Sequence, residues 1–95
     1  MIEGNPGFGR AYLNRGVTYS RLWRSEEAVK DYSAVIDLDP ENDLAYFNRA
    51  VAYHGLGLDV EAVKDLTQVV NLDPSNEVAK HLLEETLDVL SHRKS

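Results

Sequence analysis

Few side chains in this chain are placed to do chemistry. Two of its three histidines lie four residues from a carboxylate, His81 with Glu85 and His92 with Asp88. On a helix such a pair shares one face and could hold a metal ion together. The same spacing on an acidic helix is also ordinary solvated surface, and solvated surface is the expectation. Glu26-Glu27 and Glu84-Glu85 are neighbours in sequence, so they point to different sides of a helix and form no acid–base dyad. There is no cysteine, which removes a thiolate metal site, a cysteine nucleophile and a disulfide framework. The glycines of Gly4-Asn5-Pro6-Gly7-Phe8-Gly9 and Gly55-Leu56-Gly57 match no phosphate-cradling pattern after a strand. The sequence therefore predicts no enzyme, no metal and no cofactor.

The elements that would position any other site follow from a period of 34 residues. Residues 9–42 lie over 43–76 with 17 of 34 positions identical, and Pro6, Pro40 and Pro74 keep the same interval. A repeat of this length marks stacked units, each burying its apolar face against a neighbour. Within a unit the apolar spacing is helical. Ala11, Tyr12, Arg15, Gly16 and Tyr19 share one face, and Ala28, Val29, Tyr32, Val35 and Ile36 share another. Ser25 reads as an N-cap, with Glu26 and Glu27 in the first turn behind it. Asp39-Pro40 and Asp73-Pro74 stop the second helix of each unit. A last helix carries Ala79, Leu82, Leu83, Thr86, Leu87 and Leu90 as a single stripe, the layout of a terminal cap. No stretch alternates with period two, so no sheet is expected.

The 95 residues carry a net charge of −6, unevenly divided. Residues 1–40 have a net of −1 and residues 41–95 a net of −5. An acidic surface repels phosphate, so neither nucleic acid nor membrane is expected as a partner. A basic partner suits the second half better. No apolar run approaches the ~18 residues of a membrane span, and the N-terminus lacks the layout of a signal peptide. With the missing cysteines, this points to a cytoplasmic chain.

The sequence resembles the tetratricopeptide repeat, a 34-residue helix–turn–helix unit. Tyr12 and Tyr46 fill its bulky early position, and Arg15-Gly16 and Arg49-Ala50 its leucine–glycine pair. Its mid-helix tyrosine is Tyr19 and Tyr53, its small second-helix residue Ala28 and Ala62, and its closing proline Pro40 and Pro74. The resemblance implies an all-α fold of antiparallel helical hairpins, five helices stacked as a short right-handed superhelical solenoid. The expected divisions are a linker or remnant of an upstream repeat at 1–8, repeats at 9–42 and 43–76, a capping helix at 77–92 and a tail at 93–95. Arg15 and Arg49 stand where the family has leucine, each sixteen residues before an aspartate, Asp31 or Asp65. Either they pair across the hairpin or their stems pack while their heads reach water. Trp23, where the second unit has Gly57, is either a contact point at the turn or packs on the chain's own next helix.

In this family the first helix of each pair lines a concave, partner-binding face. Carried onto this sequence, that face holds Leu13, Asn14, Val17 and Arg21, then Phe47, Asn48, Val51 and His54, then Val78, His81 and Leu82. The recurring Asn14 and Asn48 could hold a peptide backbone by donating and accepting at once, or could bond within their own helices. A subset of the family grips the acidic tail of heat-shock chaperones through lysine, arginine and asparagine. Here Asn48 matches, while Leu13, Val17, Val78 and Leu82 fill the other slots. The face therefore suits an amphipathic helix or an apolar extended peptide. With Leu13, Val17, Phe47, Val51 and Leu82 exposed together, it would also serve self-association. The function this implies is protein–protein interaction, as adaptor, scaffold or co-chaperone-like module. The alternative is a structural unit that forms homo-oligomers or extends a longer solenoid.

Overall fold

The computed structural model describes residues 6–93 as five helices: α1 (Pro6–Arg21), α2 (Ser25–Leu38), α3 (Asp43–Gly55), α4 (Asp59–Leu72) and α5 (Glu77–Arg93). Each packs on the next, so α1–α2 and α3–α4 are antiparallel hairpins, and α1 also touches α3. The result is an all-α repeat solenoid measuring 48 × 29 × 18 Å. Residues 6–8, which the sequence places in a linker or remnant, belong to α1, and residues 1–5 lie outside the described residues. Pro40 and Pro74 sit in the turns between hairpins, whereas Pro6 is the first residue of α1, a position proline favours.

The turns between hairpins repeat one hydrogen-bond scheme. Asn42 Oδ1 accepts from Ala45 N at 3.0 Å, and Asn76 Oδ1 accepts from Ala79 N at 2.9 Å, capping α3 and α5. Each cap satisfies an amide left over at a helix start and contributes about 1 kcal/mol. Before them, the carboxylates of Asp39 and Asp73 accept from the amides of Glu41 and Ser75 across the prolines.

The turns inside the hairpins are tighter. Arg24 N donates to Tyr19 O at 2.8 Å and Leu58 N to Tyr53 O at 2.9 Å. These are six-to-one Schellman closures, which require a left-handed residue just before the closing amide. Gly57 supplies it at φ 76°, and Trp23 supplies it at φ 62°. Because the closing residue also starts the next helix, Arg24 takes the N-cap position of α2 and makes no side-chain cap bond. Ser25 is thus the first residue inside α2 rather than its cap.

Two apolar clusters fill the layers. Ala28, Tyr32 and Ala52 form one, with Leu13, Val17, Tyr19 and Val29 against it. Ala50, Ala62, Leu66, Val69 and Ala79 form the other, with Phe47, Leu82 and Leu83 among the residues against it. The expected α5 stripe is buried at Ala79 and Thr86 but opens to solvent at Leu87.

Candidate partner-binding face

The geometry of the face begins with what holds α1 and α3 in place. Arg49 reaches across its hairpin and donates two hydrogen bonds to Asp65, from Nε and Nη2, each at 2.8 Å. Arg15 does the same to Asp31, also at 2.8 Å. Of the two arrangements open to these arginines, the ion pair is the one observed. Hydrogen bonding to the carboxylate, then its charge, drives the Arg15 guanidinium to an even higher pKa than usual. For Arg49 the Asp65 hydrogen bond again dominates the upward shift and outweighs the opposing effect of burial. Tyr12 and Tyr19 flank the Arg15 guanidinium and Tyr46 and Tyr53 that of Arg49, with ring centroids 5.6–5.8 Å away. Arg49 also donates to Ser33 Oγ of α2 at 3.1 Å, tying the second hairpin to the first. The small residues do the rest. Gly16, Ala28, Ala50 and Ala62 are buried where the helices cross.

The face carried by these helices is less uniformly open than the sequence suggests. Of the five apolar residues expected to be exposed together, only Val51 is, at 46%. Leu13 and Val17 are half-buried against the Ala28–Tyr32–Ala52 cluster, and Phe47 and Leu82 against the second cluster. The neighbouring helix covers part of each side chain, an effect that a single-helix pattern does not reveal. Val78 is open at 66%. Asn14 is exposed and Asn48 half-buried, and among the described residues neither side-chain amide is engaged in a hydrogen bond. Arg21 is exposed at the last turn of α1. His54 is exposed but its Nδ1 lies 2.8 Å from Oδ1 of buried Asp59, and His81 pairs with Glu85 at 3.0 Å. His92 Nδ1 stands 2.8 Å from the Asp88 carbonyl and 3.6 Å from its carboxylate. Among the described residues no three histidine, aspartate or glutamate side chains gather as metal ligands.

Between the first turns of α3 and α5 lies an open depression of about 310 Å³, lined by Asp43, Leu44, Phe47, Asn76 and Val78. It brings Phe47 and Val78 together and adds three residues absent from the expected set. The signal for Leu44 was present: it stands 34 residues before Val78, so both take the same place in successive units.

Comparison with known proteins agrees with this architecture. A family model described as the TPR repeat matches residues 24–57, and one described as the tetratricopeptide repeat matches 44–76. Together they cover more than half of the chain. The chain belongs to the tetratricopeptide-repeat family. Among solved structures, the first such domain of Spaghetti (RPAP3), bound to the HSP90 peptide SRMEEVD, has a TM-score of 0.86 and 29% identity. The likeness covers 92% of this chain and 69% of that one. The second domain of the same protein, with the same peptide, gives a TM-score of 0.87 and 29% identity over 94% and 82%. The second domain of human RPAP3, in complex with the HSP70 peptide SGPTIEEVD, gives 0.78 and 32% over 82% and 65%. A UDP-N-acetylglucosamine–peptide N-acetylglucosaminyltransferase of Giardia intestinalis is 54% identical over 41 residues. That is 43% of this tetratricopeptide-repeat chain but 3% of the transferase. No helix among the described residues is long and apolar enough to cross a membrane.

Proposed function

We propose that this tetratricopeptide-repeat chain is a protein-interaction module that takes a peptide or helix of a partner along the α1–α3–α5 face. The observation that carries the reading is the state of Asn14 and Asn48. Each leaves its side-chain amide without an intrachain hydrogen bond among the described residues. An amide so placed can donate to and accept from a passing backbone. The relatives above that hold heat-shock peptides favour the same use of the fold.

The chemistry of the ligand differs from theirs. Both peptides in those complexes end in Glu-Glu-Val-Asp and so bring three acidic side chains and a terminal carboxylate. Leu13, Val17, Val78 and Leu82 offer such an end no cation, and Asp43 opposes it. The partner we infer is instead apolar at the points facing Phe47, Val51 and Val78, with a neutral or basic flank toward Asp43. Selection of peptides from a random displayed library, with the Asn14→Ala/Asn48→Ala chain as counter-selector, tests this. Enrichment of apolar segments that need the asparagines is the expected result. Enrichment of acidic C-termini, or of peptides held equally by both chains, would contradict it.

A further inference from the structure

Trp23 sits on the first intra-hairpin turn with 91% of its surface open. Its ring is therefore not packed on the next helix, the other place open to a tryptophan at this turn. Its backbone is left-handed at φ 62°, the conformation that Gly57 provides in the second hairpin. An indole held outward on backbone that glycine would adopt freely is a costly arrangement for a side chain with so little contact. Leu22 beside it is also exposed, and Arg21 has no ion-pair partner among the described residues.

The opposite edge of the molecule carries an open apolar depression. The depression between α3 and α5 has an apolar wall of Leu44, Phe47 and Val78 and a polar rim of Asp43 and Asn76. Its volume of about 310 Å³ is enough for one bulky aromatic side chain. Indole brings a single donor, and the carboxylate of Asp43 and the Oδ1 of Asn76 are acceptors. The charges agree as well: Arg21 accompanies Trp23, and the depression lies in the acidic half of the chain.

We propose that Trp23 of one copy seats in the α3–α5 depression of a second copy. A β-carbon on Gly55 would lie 3.2 Å from Ser25 Oγ, so both intra-hairpin turns share one edge. The depression is at the other end of α3, about 20 Å away along a 13-residue helix, beyond the reach of the same molecule's Trp23. Knob and hole on opposite edges make a heterologous contact, which repeats from copy to copy without closing on itself. Phe47, Val78 and Asp43 also face the peptide proposed above, so Trp23 of a second copy and a foreign peptide would exclude one another there.

The test uses the full chain and its single tryptophan as reporter. Sedimentation velocity over a concentration series should show mass rising while the tryptophan emission moves to shorter wavelength in step. Trp23→Gly keeps the turn, since Gly57 already adopts that backbone, and should weaken association about 30-fold, as loss of a central aromatic anchor does. Val78→Glu should do the same from the other side. An equimolar mixture of the two variants retains one intact knob and one intact hole, so it should form a dimer and nothing larger. A wild-type chain that stays monomeric with unshifted emission at millimolar concentration overturns the proposal. So does a Trp23→Gly chain that associates like the wild type, or a mixture of folded variants that fails to dimerise. An emission shift produced by phosphatidylcholine vesicles but not by concentration would overturn it too, and assign Trp23 to a membrane surface instead.

Discussion

Gly16 and the ring of Tyr32 are in such close contact that a β-carbon on Gly16 would fall 2.6 Å from Cε1 and 2.9 Å from Cδ1. The same place in the second hairpin is held by Ala50 and Leu66, both buried. The two units thus solve one packing problem in two ways, a larger ring over no side chain and a smaller side chain over a methyl group. Gly16→Ala should therefore destabilise by about 1–2 kcal/mol, overpacking outweighing the gain in helix propensity. Tyr32→Leu in that background should recover part of the loss. Urea unfolding of both single variants and the double variant would measure this as a coupling of about 1 kcal/mol. A Gly16→Ala chain that gains stability would show that the contact is not kept in solution.

The two ion pairs share one geometry but differ in surroundings. The Arg49 side chain is 20% exposed and Arg15 is 59% exposed, because α2 covers Arg49 and supplies Ser33. Replacing Arg49 with methionine strands the buried Asp65 carboxylate and should cost about 3 kcal/mol. Replacing Arg15 strands Asp31, which is as buried as Asp65, but should cost less, because the exposed Arg15 side of that pair lets water in to solvate the carboxylate. Denaturation midpoints that rank the other way would contradict this ordering.

Burial pushes the Tyr32 hydroxyl to a higher pKa, with the hydrogen bond to Ser20 at 3.2 Å opposing it. The folded chain then keeps this proton at a pH where the unfolded chain, titrating near pH 10, has begun to lose it. The unfolded state binds fewer protons in that window, so stability falls as pH rises above about 10 and is fully present below it. Tyr32→Phe should lack this component. Comparing urea midpoints of the two chains from about pH 9 to about pH 11 reads the difference directly. Parallel slopes would mean that Tyr32 is not protected.

Much of this was legible in the sequence because a repeat shows its own alignment. The 34-residue period and the prolines after α2 and α4 locate the hairpins, and the recurring Arg–Asp spacing offers their cross-links as one of two arrangements, which the structure decides. Burial on the binding face was not legible to the same degree. Whether Phe47 or Leu82 is open depends on how far the adjoining helix reaches over it, a property of two elements and not of one. Trp23 shows the limit from the other side. Its type suggests packing, yet the Schellman closure makes it the left-handed residue of the turn and leaves its ring open to water.

Val51 separates binding from folding. It is exposed on α3 and outside both core clusters, so Val51→Ala should change stability by no more than about 0.5 kcal/mol. Its loss should nonetheless weaken a selected peptide several-fold. Phe47→Ala, by contrast, should lower both binding and stability, because that ring is shared between the face and the core. Calorimetric titration beside thermal melts distinguishes the two patterns. Equal loss of stability in both variants would place Val51 in the core.

The most direct test of peptide binding along the α1–α3–α5 face is amide chemical-shift mapping of the labelled chain during titration with a selected peptide. The side-chain amide resonances of Asn14 and Asn48 should be followed alongside the backbone. Both side-chain signals are expected to move together, with the amides of Val51 and Val78, while α2 and α4 stay still. Movement confined to α2 and α4, or to the turn at Trp23, would place the partner elsewhere and contradict the assignment of that face.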